Sequence, residues 1–265
     1  MEPLERPHAT PEPRRPALLG DLFYLVAHDV QSGRARVDAS VASLGLAAAL
    51  LCELVVPQHV VVAGEVVAPV LWDAPPPGLG RTVWERMATA QDRTGRPGAV
   101  ADWLRFLALD AVDDVRARLA AQGWLTQVRT RRWVGGPRLS FVAPRGTTAA
   151  AWPPIGLAKV LDRGVDAMAL DEVVLAALVA VTGLVEAVPV LRLDCPGRDN
   201  ARAAYERLRR VGEAQAGAAL ASGAQAGEAP VAPDGGWVAA PVMWQVAQVL
   251  QHAEAAVGVG ILTRL

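Results

Sequence analysis

Several arginines and a tryptophan lie close together in one segment of the chain, a combination that suits the binding of anions. The segments 126–134 and 137–143 flank Gly135-Gly136, a dipeptide that accepts positive φ at both positions and predicts a two-residue hairpin turn. With that turn, one face collects three cross-strand pairs: Trp133 with Arg138, Arg131 with Ser140, and Arg129 with Val142. Guanidinium groups bind phosphate oxygens, and tryptophan favours the headgroup layer of a membrane. The pattern therefore predicts an anion-binding face made of Arg129, Arg131, Trp133 and Arg138.

Two interpretations of this face are open. From Trp124 to Arg145 there are five arginines and no acidic residue, and such charges also keep an exposed strand edge from pairing with other chains. The opposite face of the hairpin is expected to pack on the body of the protein through Val128, Thr130, Arg132, Leu139 and Phe141. Further candidates for contact with an anionic surface are Arg34, Arg36 and Arg116.

The motifs of common enzyme classes are absent from the sequence. It contains no GxSxG nucleophile elbow, no P-loop, no HExxH and no GxGxxG after a predicted strand. The four histidines lie far apart, with no carboxylate or cysteine at metal-ligand spacing. Asp110, Asp113 and Asp114 could form an acid-base group, but acids at the start of a predicted helix more often complement its dipole and stay hydrated. We therefore predict no catalytic residues, no metal and no cofactor.

Composition excludes several classes of protein. The 265 residues, 52% hydrophobic and 20% charged, are enough for a folded core and too apolar for a disordered chain. A net charge of −1 gives no general attraction to nucleic acid. The longest apolar runs, 39–52 and 173–185, are too short to span a bilayer, and the first residues lack the apolar core of a signal peptide. These features predict a cytoplasmic protein with Cys52 and Cys195 as free thiols.

The periodicity of the chain predicts a mainly α-helical domain over residues 17–265, after a disordered proline-rich arm over residues 1–16. A helix capped by Asp38 or Ser40 and ending near Val55 is apolar on nearly every side, so we expect it to be the buried central helix. A second, short hairpin is expected from 60–63 and 66–71, and a loop of uncertain order from 212–236. The other predicted helices are 18–30, 82–90, 100–109, 112–122, 155–163, 170–188, 200–211 and 241–256.

The order of several segments resembles the Golgi phosphoprotein 3-like family. These segments are LLGDLFYLVAHDVQSGR (18–34), SLGLAAALLCEL (43–54), WDAPPPGLGRTVWERM (72–87), VADWL (100–104), VRARLAAQGWL (115–125) and LDEVVLAALVAVTGLVEAV (170–188). The resemblance covers roughly residues 18 to 211 and implies a single helical domain around a central helix, with a protruding hairpin. Arginine supplies every basic residue except Lys159, a composition typical of a GC-rich, bacterial genome.

The resemblance also implies a function, that of a non-enzymatic peripheral membrane protein. In eukaryotic members, the headgroup of phosphatidylinositol 4-phosphate is held by a tryptophan before the central helix, an arginine nine residues later, and two arginines three apart. Without gaps, these positions become Asp38, Ala47, Leu109 and Val112 in this chain, and none matches. A gapped alternative places Arg116 on one of the paired arginines and Asp113 on the other. We therefore expect association with anionic lipid in general, without the eukaryotic headgroup site.

Two other functions are compatible with the sequence. In the family the hairpin serves self-association, so the segment 126–143 could pair with a second copy or another protein without meeting lipid. An enzyme acting on an apolar or phosphorylated small molecule is also conceivable, and would need a deep pocket with convergent polar groups beside the central helix.

Overall fold

The computed structural model describes residues 18–71, 74–130, 138–147, 152–192, 195–222 and 239–262. Within them the chain forms ten α-helices and seven short strands. The helices are α1 (Leu19–Ala27), α2 (Ala39–Val55), α3 (Gly78–Thr94), α4 (Val100–Ala121), α5 (Trp152–Asp162), α6 (Leu170–Val181), α7 (Leu184–Ala187), α8 (Pro189–Arg192), α9 (Cys195–Ser222) and α10 (Ala239–Leu262). The strands are β1 (His28–Asp29), β2 (Arg34–Ala35), β3 (Val60–Ala63), β4 (Val66–Pro69), β5 (Gly98–Ala99), β6 (Thr126–Thr130) and β7 (Arg138–Val142). This architecture confirms a mainly helical fold.

The central helix is α2, as predicted. Its N-cap is Asp38, whose carboxylate accepts hydrogen bonds from the Ser40 amide at 2.8 Å and the Ser40 hydroxyl at 2.6 Å. Alanine and leucine on nearly every side let α2 pack against α1, α4, α6 and α10 at once. Cys52, on this helix, is a free, fully buried thiol whose pKa is raised by burial.

Close packing between α1, α2 and α6 depends on Gly45. A Cβ at this position would lie 2.7 Å from Cε1 of Phe23 and 2.8 Å from Cγ2 of Thr182, closer than real side chains approach. Gly45→Ala is therefore expected to lower the free energy of unfolding by about 1–3 kcal/mol, measured by denaturant titration. The matched control is Gly156→Ala in α5, where a Cβ would meet nothing within 4 Å and should be neutral or stabilising by up to about 1 kcal/mol. Equal midpoints for the two variants would contradict this account.

A buried ionic cluster joins α1, α2 and α4. The Arg118 guanidinium donates from Nε to Asp21 at 2.7 Å and from both terminal nitrogens to Glu53 at 3.1 Å. Glu53 also accepts the amide of Gly20 at 2.6 Å. All three charged side chains are nearly removed from solvent. Burial raises the pKa of Asp21, and Arg118 only partly offsets that rise.

Several predicted boundaries are wrong. The helices predicted at 100–109 and 112–122 are one helix, α4, and the helix predicted at 170–188 ends at Val181, where Gly183 takes φ +69° and α7 begins. Asp110, Asp113 and Asp114 therefore lie inside α4, not at a helix start, so no helix dipole explains them. Instead, Asp110 pairs with Arg86 and Asp113 with Arg116.

The C-terminal third also differs from the prediction. Residues 212–222, assigned to a loop, continue helix α9, which packs along α10 and α6.

The short hairpin of β3 and β4 is confirmed, with β5 added as a third strand beside β4. The arm 1–16 and the rest of the predicted loop, 223–236, lie outside the described residues, as does the Gly135-Gly136 turn.

Candidate functional site

The hairpin of β6 and β7 is present, but its register differs from the prediction. Thr126 pairs with Val142 and Thr130 with Arg138, an offset of three positions from the pairing that a Gly135-Gly136 turn requires. Arg129 therefore pairs with Leu139 and lies on the face opposite Arg138. The predicted single face with Arg129 and Arg138 together is wrong.

The base of the hairpin is fixed by the turn that joins β1 and β2. The Ala143 amide donates to the Val30 carbonyl at 2.7 Å. Gly33 takes φ +69°, and a Cβ there would lie 2.7 Å from the Phe141 carbonyl oxygen, so only glycine allows this approach without strain. The turn is closed by Asp29, which accepts from the Gln31 amide and the Ser32 hydroxyl. Backbone contacts between residues far apart in sequence thus position the base of the hairpin.

Arg116, a predicted anion ligand, is occupied by protein groups. Its Nε donates to the Tyr24 hydroxyl at 3.1 Å, and a terminal nitrogen donates to Asp113 at 2.9 Å. Its guanidinium also lies 5.2 Å from the centre of the Phe141 ring. Arg116 therefore holds the hairpin against α1 and α4, a role that sequence reasoning missed because Tyr24 is 92 positions away.

Arg36 lies beside His28, beneath the same hairpin. The His28 ring stacks on Tyr24 with 4.0 Å between centroids, and its Nδ1 lies 3.1 Å from the Tyr24 carbonyl oxygen. Burial, with Arg116 and Arg36 nearby, lowers the pKa of His28 to about 4. The Arg36 Nε is buried and has no hydrogen-bond partner among the described residues. Two of the predicted anion ligands, Arg36 and Arg116, therefore lie near the same buried histidine.

Exposed cationic and apolar side chains surround this base. Arg34 on β2, Arg129 on β6 and Arg145 after β7 are exposed, and none forms an ion pair with another described residue. Leu139, on the same face as Arg129, is 56% exposed, and Val128 is exposed on the other face. Phe141 packs against the core as predicted, but Val128 and Leu139 do not. Arg131 and Trp133 lie outside the described residues, as does the Arg138 side chain.

A cleft of about 630 Å³ lies between α3, β5 and the first turns of α4. No motif in the sequence indicates this cleft. Trp103 is partly buried against the core and also lines the cleft, where it meets Phe106 edge-on. The pocket expected for an enzyme should lie beside α2, whereas the lining residues of this cleft come from other elements. Among the described residues, no group of three or more histidine, cysteine or carboxylate side chains could hold a metal ion.

Comparison with known families decides the assignment. The family model described as Golgi phosphoprotein 3 (GPP34) matches residues 19–243. The chain belongs to the Golgi phosphoprotein 3 family. A search of curated proteins found no match to this chain. No helix in the described ranges is both long and apolar enough to cross a membrane.

The four positions that the ungapped comparison assigns to the headgroup site are Asp38, Ala47, Leu109 and Val112. Asp38 caps α2, and Ala47 is fully buried within it. On α4, Leu109 is 77% exposed and Val112 is half-buried. These four residues offer a phosphate one carboxylate and three apolar side chains.

Proposed function

We propose that this Golgi phosphoprotein 3 family member is a non-catalytic, cytoplasmic adaptor that associates peripherally with anionic membrane surfaces through its hairpin. The observation that carries the proposal is the pairing of Arg129 with Leu139, two exposed side chains on one face of the hairpin. A cation next to an exposed aliphatic side chain suits the boundary between lipid headgroups and acyl chains.

Stable binding to a membrane requires more than one weak contribution to the binding free energy. Each arginine near an anionic surface contributes about 1 kcal/mol, and the attraction falls with salt. Arg34, Arg129 and Arg145 together therefore give weak, salt-sensitive binding. Insertion of Leu139, or of Trp133 from the predicted face, would add the apolar contribution that stable association needs. Arg116 is left out of this set because its side chain is mostly buried and already donates to Asp113 and Tyr24.

Co-sedimentation with liposomes tests the proposal. Binding is expected with anionic vesicles and not with neutral ones, and it should weaken as salt rises. Arg129→Glu is expected to lower the binding constant about thirtyfold at low salt, because about 1 kcal/mol of attraction becomes a similar repulsion. The control is Arg202→Glu, the same charge change at an exposed position of α9. Equal binding by the two variants would remove the hairpin from the proposal.

Vesicles with a few per cent phosphatidylinositol 4-phosphate distinguish general from specific recognition. At equal total charge, we expect no preference for the phosphoinositide, because Asp38, Ala47, Leu109 and Val112 supply no cation. A clear preference would show that other residues form a headgroup site.

Self-association through the hairpin is the alternative function. Within the described part of the chain, β6 and β7 form a two-stranded sheet, so each has an outer edge with no strand beside it. Exposed Val128 and Leu139 lie on its two faces. Gel filtration with light scattering would test this, before and after removal of residues 132–139. A multimer that becomes a monomer on truncation, without any lipid binding, would favour this function over the adaptor.

A further inference from the structure

The cleft between α3, β5 and α4 has the features of a site for an extended, proline-rich segment. Trp103 and Phe106 meet edge-on with 5.5 Å between their ring centroids, and Phe106 is 46% exposed. Gly98 in β5 gives the Trp103 indole room to lie against the strand, since a Cβ there would overlap the ring. Polyproline segments bind in grooves lined by exposed aromatic rings, since their ordering costs little entropy.

Polar groups along this cleft lack partners in the described part of the chain. The Trp103 indole N–H has no hydrogen-bond acceptor there, and neither Glu85 nor Arg93 has an ion-pair partner. In contrast, Arg86 is paired with Asp110, and Asp102 with Arg105. Glu85 and Arg93 lie eight residues apart on α3, about 12 Å along the helix axis. An occupant should therefore carry a cation and an anion at about this separation.

We propose that the occupant is the N-terminal arm of this chain, residues 1–16, docked in an extended polyproline conformation. The arm carries Pro11, Pro13 and Pro16, together with Glu12, Arg14 and Arg15. At about 3.1 Å per residue, Glu12 and Arg15 are roughly 9 Å apart. Their separation is close to that of Arg93 and Glu85, so Arg15 pairs with Glu85 while Glu12 pairs with Arg93.

The direction of the chain agrees with this pairing. The arm joins the fold at Leu18, and the adjacent Gly20 amide binds Glu53 at the end of α2. The next residue of α2, Leu54, lies 3.3 Å from the Cβ position of Gly80, in the first turn of α3. Gly20 and Gly80 thus both contact the C-terminal part of α2, which places the end of the arm and the start of α3 at the same end of this helix. An arm that runs from this end along α3 reaches Glu85 with Arg15 before it reaches Arg93 with Glu12. Arg15 and Glu12 precede Leu18 by about 9 and 19 Å of extended chain.

Thiol labelling of the full chain tests the proposal. Thr89, which lines the cleft and is exposed, is changed to cysteine in a Cys195→Ser background, where Cys52 is buried. Its alkylation rate is compared between the native arm and an arm with Pro11, Pro13 and Pro16 changed to glycine. We expect alkylation to be at least about threefold slower with the native arm, because a cleft that is occupied by the arm excludes the reagent. The control, Leu109→Cys, lies outside the cleft on α4 and should react equally in both chains.

A charge exchange tests the assigned pairing. Glu85→Arg should abolish the protection of Thr89→Cys, and adding Arg15→Glu should restore it. Equal alkylation rates with both arms would overturn the proposal. Failure of Arg15→Glu to restore the protection lost in Glu85→Arg would also overturn it. Protection that rises with protein concentration would also overturn it, because the occupant would then be the arm of a second copy.

Discussion

Arg118→Leu is expected to lower the free energy of unfolding by about 3–5 kcal/mol, because it leaves two buried carboxylates without their shared cation. Asp21 is 1% exposed, and Glu53 receives both terminal nitrogens of the guanidinium. Neither carboxylate can hydrate unless α1 separates from α2. Denaturant titration at pH 7 measures the loss.

The matched control is Arg105→Leu on the same helix. Its partner is Asp102, and both side chains are largely exposed, so the pair contributes at most about 1 kcal/mol. The loss of unfolding free energy caused by Arg118→Leu should become smaller as the pH falls toward 4. The pKa of Asp21 is already raised by burial, so the folded protein takes up a proton there before the unfolded chain does, and its stability falls as the pH rises. A loss no larger than that of Arg105→Leu would contradict the assigned role of the cluster.

The elements predicted correctly from sequence are those whose signals are local. Asp38 and Ser40 indicate the start of α2, and the unbroken alanine and leucine pattern indicates that the helix is buried. The α4 helix was divided in two because Asp110 and Asp113 interrupt the apolar pattern, yet both lie on its outer side, where hydrated acids are tolerated. A polar face was thus mistaken for a break.

The candidate site was predicted less well because long-range contacts determine it. A glycine pair suggested the hairpin register, but contacts of Gly33 and Val30 with the second strand fix its base. Arg34 and Arg129 were identified by residue type and are indeed exposed. No local signal distinguishes them from Arg116, whose partner Tyr24 is close only in the folded chain. Residue type therefore indicates which side chains could bind an anion, and packing decides which of them are available.

Acidification from pH 6.5 to pH 4 is expected to cost the protein about 3 kcal/mol through His28 alone. Burial, and the neighbouring cations Arg116 and Arg36, lower the pKa of His28 from 6.5 to about 4. Between these values the unfolded chain binds a proton that the folded chain does not, so stability falls as the pH falls. Below about pH 4 both states are protonated and the loss reaches its limit. Each unit of pKa difference corresponds to about 1.4 kcal/mol.

Comparison of unfolding free energies at pH 7 and pH 4.5 isolates this contribution. His28→Gln keeps an N–H donor for the Tyr24 carbonyl but cannot titrate, so its stability should change less over this interval than that of the native chain. His252→Gln in α10, where the side chain is half-exposed, is the matched histidine substitution on another element. His28 begins the strand pair whose turn accepts the Ala143 amide at Val30, so its protonation should also loosen the hairpin base. If His28→Gln and the native chain lose equal stability on acidification, the proton is taken up elsewhere and this account of the hairpin base is wrong.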